Sequence, residues 1–78
     1  MLTRNVNFHD LDDGCFGIGT FHQWLADEYC CIPVISDLVF IKLDDGSEAL
    51  WRVEERVLHP YEIDVYCRVY KTLKDPVV

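Results

Sequence analysis

The residues best able to do chemistry in this chain are its histidines, cysteines and paired acids. His9, Cys15, His22, Cys30 and Cys31 fall in the first half, and neutral imidazole and thiolate are good zinc ligands. A structural zinc site usually brings its ligands in close pairs, two to a turn, but only the vicinal Cys30 and Cys31 are close here, with side chains that diverge on most backbones. No metal and no cofactor are expected. Asp10-Leu11-Asp12-Asp13-Gly14 has the acids and glycine of a calcium loop, yet Phe21 stands where its bidentate glutamate belongs. A nucleophilic thiol needs a base in reach, and nothing in the spacing pairs Cys30 or Cys31 with His22 or His59. Gly14, Gly17 and Gly19 lack the strand-then-helix setting and the lysine of a phosphate loop. No catalytic residue is assigned. A chain this short rarely encloses a pocket of roughly 300 Å³ or more, so an enzyme of this size needs its site at a subunit interface.

Two further groups point to binding. In Trp51-Arg52-Val53-Glu54-Glu55-Arg56, period-2 alternation from Trp51 and Val53 turns Glu55 toward the core, where a carboxylate is costly. Either a bulge near Glu54 swings both acids to solvent beside Arg52 and Arg56, or Glu54 and Glu55 are cleft carboxylates that recognise a cationic ligand. The second group is aromatic and apolar: Phe40, Leu50, Tyr66 and Tyr70 share the less polar outer face of the expected sheet, and Trp24 lies on the expected helix. Such side chains either pack a helix on a sheet or anchor an interface.

The elements that position these groups are clearest between residues 36 and 73. Leu38-Val39-Phe40-Ile41-Lys42-Leu43 alternates as a strand and ends at Asp44-Asp45-Gly46, residues that tolerate or require the positive φ of a tight turn. A three-residue loop ending in a Gly46 bulge sets Leu43 opposite Ser47, Lys42 opposite Glu48 and Ile41 opposite Ala49. That register gathers Val39, Ile41 and Leu43 on one face with Ala49, Trp51 and Val53. His59-Pro60 ends the second strand because proline lacks the ladder donor. A third strand follows, with Tyr61, Ile63, Val65, Cys67 and Val69 toward the core and Glu62, Asp64, Tyr66, Arg68 and Tyr70 on the other face.

In the first 35 residues, Thr20 and Gln23 have capping-box spacing, and Phe21, Trp24, Leu25 and Tyr29 recur at helical spacing. The pattern predicts a helix over residues 21–29, with an extra short strand at Val6-Asn7-Phe8-His9 and a turn at Asp12-Asp13-Gly14. The expected fold class is α+β: a short N-terminal helix packed on a three-stranded antiparallel meander, the whole chain 1–78 forming a single domain. A small SH3-like β-barrel is the alternative. The stretch Ile32-Pro33-Val34-Ile35-Ser36-Asp37-Leu38-Val39-Phe40-Ile41-Lys42-Leu43-Asp44-Asp45-Gly46 is similar to the openings of many short β-meander proteins, including orphan proteins of phages and other mobile elements. That resemblance carries no functional residue with it.

Charge and composition set outer limits. The 78 residues carry a formal net charge of −7, and up to Val39 Arg4 is the lone basic residue among six acids, Asp10, Asp12, Asp13, Asp27, Glu28 and Asp37. Duplex phosphates repel such a surface, so direct nucleic-acid binding is not expected; an acidic mimic or inhibitor acting on a basic partner protein is the alternative. Residues 1–10 contain no apolar signal region, and no apolar run approaches the roughly 20 residues of a membrane span. The expectation is a cytoplasmic protein with reduced thiols. A core this small stabilises weakly, which favours a second subunit. The leading functional reading is a non-catalytic binding or protein-interaction module, either a homodimer or a partner of another protein, with a small ligand as a further candidate.

Overall fold

The computed structural model describes residues 4–13, 20–26 and 32–77. Five strands lie within them: β1 (Asn5–Asp10), β2 (Thr20–Leu25), β3 (Leu38–Lys42), β4 (Glu48–Leu58) and β5 (Glu62–Lys74), with a short 3-10 turn at Leu11–Asp13 after β1. They form one sheet in the order β2-β1-β5-β4-β3. β3, β4 and β5 make the antiparallel meander, β2 is antiparallel to β1, and β1 runs parallel to β5.

The meander follows from local chemistry. Ile41 faces Ala49 and Lys42 faces Glu48, and the loop closes with Leu43 N donating to Ser47 O at 2.9 Å and Gly46 N to Leu43 O at 3.0 Å. Gly46 has a φ of +87° and sits so close to Val77 that an added Cβ would lie 3.0 Å from Val77 Cγ2. Both features favour glycine there, since a side chain would be strained and would have to displace Val77. Farther along β4 the register with β5 shifts between Val53 and Glu55, so a bulge keeps both acids off the core face.

The N-terminal half departs from the expected α+β arrangement. The helix over residues 21–29 is not seen: residues 21–25 belong to β2, and residues 27–29 lie outside the described residues. Gln23, cast as a capping residue, instead donates from Nε2 to Asn7 Oδ1 at 2.7 Å. The physical reason is β1. It enters the sheet beside β5, leaving its other edge in need of a partner, and Phe21, His22 and Trp24 suit a pleated surface better than a short helix. An SH3-like barrel is also excluded, because the sheet is mixed and its terminal strands β2 and β3 do not pair.

Val6, Phe8, Val39, Ile41, Trp51, Val53, Ile63, Val65 and Cys67 form the buried core on one face, with Phe21 and Trp24 packed against it. Phe21 of β2 stacks on Trp51 of β4 with ring centroids 4.5 Å apart. Three strand steps span about 14 Å in a flat sheet, so the sheet curls strongly over its own core. Tyr61 and Val69 stay 70% and 45% exposed, although alternation assigned them to the core face. Tyr61 precedes β5, and Val69 lies beyond Cys67, the last residue of β5 paired with β1. Among the described residues, no helix is long and apolar enough to cross a membrane.

Burial, with a contribution from nearby Asp10, pushes the Cys67 thiol from an ordinary value of 9.0 up to about 12. Between those values the unfolded chain gives up a proton that the folded chain keeps, so this group's contribution to stability declines as pH rises from about 9 toward 12. Native alkylation at pH 8, read by peptide mass spectrometry, should leave Cys67 unmodified until denaturant is added. Prompt labelling of the folded chain would contradict this account of the core.

Candidate functional site

Alternation along β1 sends Val6 and Phe8 to the core and Asn7 and His9 to the outer face. Side chains from the flanking strands, Gln23 of β2 and Asp64 and Tyr66 of β5, lie against these outward polar residues, which are only 7% and 8% exposed. Buried amide and imidazole groups require partners, and the parallel register with β5 supplies them by setting Asn7 beside Asp64 and His9 beside Tyr66.

Asp64 is the hub. His9 Nε2 lies 2.9 Å from its Oδ1, Asn7 Nδ2 donates to the same oxygen at 3.3 Å, and His59 Nε2 lies 2.8 Å from Oδ2. A carboxylate only accepts, so both ring nitrogens carry their proton in these bonds. Asn7 Nδ2 also reaches Glu62 Oε2 at 3.4 Å, and the Tyr66 ring stacks on His9 at 4.8 Å. His59 is placed by the turn between β4 and β5, where its backbone N donates to Glu62 O at 2.9 Å.

Partial burial pushes the Asp64 carboxyl upward, but the hydrogen bonds from His9, His59 and Asn7, helped by the His9 charge, together outweigh it and hold the group below its ordinary value. The result is a fixed, ionised carboxylate between two imidazoles. Among the described residues, the side chains bonded to Asp64 are two imidazoles and an amide. Elsewhere, desolvation by burial lowers the pKa of His22 against the opposing effect of Asp44, and the His22 ring packs 6.0 Å from Phe8 on the core side.

Of the residues singled out in the sequence, Phe40, Leu50, Glu54, Glu55, Tyr66 and Tyr70 are spread over the outer face rather than gathered in one cleft, and Trp24 packs on the core side. Glu54 pairs with Arg52 at 2.8 Å, and Glu55 is exposed opposite Tyr66. Arg52 and Arg68 face each other across β4 and β5; Glu54 offsets one and Asp12, at 3.5 Å, the other. Phe40 lies opposite Leu50, with Phe40 50% and Tyr70 58% exposed and Leu38 on the same face at 48%. Tyr66 is occupied by His9, and Trp24 meets Phe8 edge-on at 4.6 Å. Asp37 accepts from Val34 N at 2.8 Å in the turn before β3. Cys15, Cys30, Cys31, Asp27 and Glu28 lie outside the described residues.

Sequence reasoning did not find the Asn7, His9, His59, Glu62 and Asp64 cluster. Alternation did put Glu62 and Asp64 on one face of β5, but the parallel alignment of β1 with that face has no local signature. Comparison with protein-family models, with curated proteins and with solved structures found no match.

Replacing Asp64 by Ala removes the acceptor shared by two buried donors and should cost about 1–3 kcal/mol in urea unfolding. The depressed carboxyl also fixes a sign: its stabilisation is present above the ordinary value of 3.8 and is lost as pH falls below it through the folded value. Wild type should therefore lose more stability than Asp64→Asn on acidification below about pH 4. Parallel stability curves for the two proteins would refute the hub role.

Proposed function

We propose that this chain is a non-catalytic binding module that associates with a second copy of itself through the outer face of β3, β4 and the end of β5. The observation that carries this reading is the exposed apolar group Leu38, Phe40 and Tyr70 beside half-buried Leu50. Scattered exposed hydrophobics are ordinary; here the β3–β4 register sets Phe40 against Leu50 with Leu38 on the same face, and Tyr70 sits at the β5 bulge beside Leu50, a surface that association can desolvate. Aromatic side chains bring large contact area at low entropic cost.

A second copy suits this surface because the patch runs onto a sheet edge. β3 carries Leu38 and Phe40 and is a terminal strand of the sheet, so its outward backbone groups pair with no other described strand. Strand addition about a two-fold axis satisfies those groups and brings the two patches side by side. Of the charges beside the patch, Arg52 is offset by Glu54 and Arg68 by Asp12, while Lys71 stands opposite Leu50.

Sedimentation of the reduced full chain over a concentration series is expected to show a monomer–dimer equilibrium. Phe40→Asp and Tyr70→Ser should each weaken dimerisation by about thirtyfold, the effect of losing a 2 kcal/mol contact, with unchanged far-UV circular dichroism. A monomer at every concentration would reject self-association.

A further inference from the structure

We propose that His59, Glu62 and Asp64 form a binding site for a divalent transition-metal ion of the zinc class, independent of the self-association surface. Each residue offers one ligand atom, and the three atoms lie within 4.8 Å of one another. Glu62 and Asp64 are two apart on β5 and so project from the same face; the turn before the strand brings His59 to meet them. One imidazole nitrogen and two carboxylate oxygens are the mixed donor set that borderline divalent ions accept. Two carboxylates and a neutral imidazole also balance the charge of a divalent cation.

The second argument lies behind these ligands. Functional metal ligands are usually held from the rear by hydrogen bonds that fix their orientation. Here buried Asn7 donates to Glu62 and to Asp64, and buried His9 bonds Asp64 Oδ1, leaving Oδ2 directed at His59. Both carboxylates are thus oriented by side chains that are themselves held inside the sheet.

Binding requires a small contraction. Tetrahedral zinc ligands at about 2.0–2.1 Å from the ion stand roughly 3.4 Å apart, so the widest pair must close by at most about 1.4 Å. His59, with a side chain 41% exposed, and exposed Glu62 can make that movement by rotation. The ion takes the place of the proton between His59 Nε2 and Asp64 Oδ2, and that proton is carried on His59 Nδ1 instead. The remaining coordination positions face solvent, where water completes the shell.

The test is titration of the reduced full chain with cobalt(II), a zinc substitute whose visible spectrum reports ligand type, followed by competition with zinc. The expected result is saturable one-site binding without a thiolate-to-cobalt charge-transfer band, which separates this site from the cysteines. Glu62→Gln and His59→Ala should each lower the affinity at least tenfold, and Asn7→Ala, which touches no ion, by 10–100-fold. Circular dichroism checks that each variant is folded; Glu62→Gln, nearly isosteric and exposed, keeps the test valid if Asn7→Ala is not. No saturable binding by wild type, a thiolate band, or affinity unchanged in folded Glu62→Gln and His59→Ala would overturn the proposal.

Discussion

The placement of β1 inside the sheet, hydrogen-bonded to β2 on one side and to β5 on the other, is the constraint on which the rest of the structure depends. Here both faces of that strand are covered, the core side by the curl of the sheet and the outer side by Gln23, Asp64 and Tyr66, which lie against Asn7 and His9. For Val6 and Phe8 this is favourable, since each adds to the apolar core. For Asn7 and His9 it is costly unless every polar atom finds a partner. Asp64, supplied by the adjacent position of β5, accepts from the amide nitrogen of Asn7 and from His9, while Gln23 donates to the amide oxygen of Asn7; the ionised state of Asp64 follows from the same bonds.

That requirement gives the outer face two different ends. Around β1 and the start of β5 it is polar, with buried Asn7 and His9 and half-buried Asp64 oriented by one another and Glu62 and His59 at the solvent side. Around β3 and the end of β5 it is apolar and exposed: β3 is a terminal strand, and β1 stops at Asp10, opposite Cys67, so no described strand continues alongside the end of β5 on that side. Val69 and Tyr70 lie past that point, and their exposure has the same cause. The core-side contact of Phe21 with Trp51 shows the matching effect on the other face: the curl that shelters the core turns the outer face convex. A convex surface favours flat contacts and small ligands over an enclosed pocket.

The bulge after Val53 connects the two ends. Without it, Glu55 would follow Trp51 and Val53 into the core and bring an unpaired charge with it. With it, Arg52 and Glu54 pair at the surface, and the strand resumes pairing with Glu55 opposite Tyr66. A local irregularity thus protects the core and sets which side chains border the polar cluster.

What the sequence by itself determined is everything governed by neighbours in the chain. The β3–β4 hairpin, its Gly46 turn, the pairing of Ile41 with Ala49 and the core positions Val39, Trp51, Val53, Ile63, Val65 and Cys67 all follow from period-2 patterning and turn chemistry. The local conflict at Glu54-Glu55 likewise announced an irregularity. What only the tertiary structure decided is the fate of the N-terminal half. Thr20 to Leu25 carries a helical spacing and a capping pair, but a segment this short has little helical stability of its own, so the unpaired edge of β1 prevailed. The parallel alignment of β1 with β5 joins residues more than fifty positions apart, and such pairings depend on long-range closure rather than on any local pattern. Asn7, His9, His59, Glu62 and Asp64 could be read in the sequence as residues, but their meeting around one carboxylate is a property of the fold.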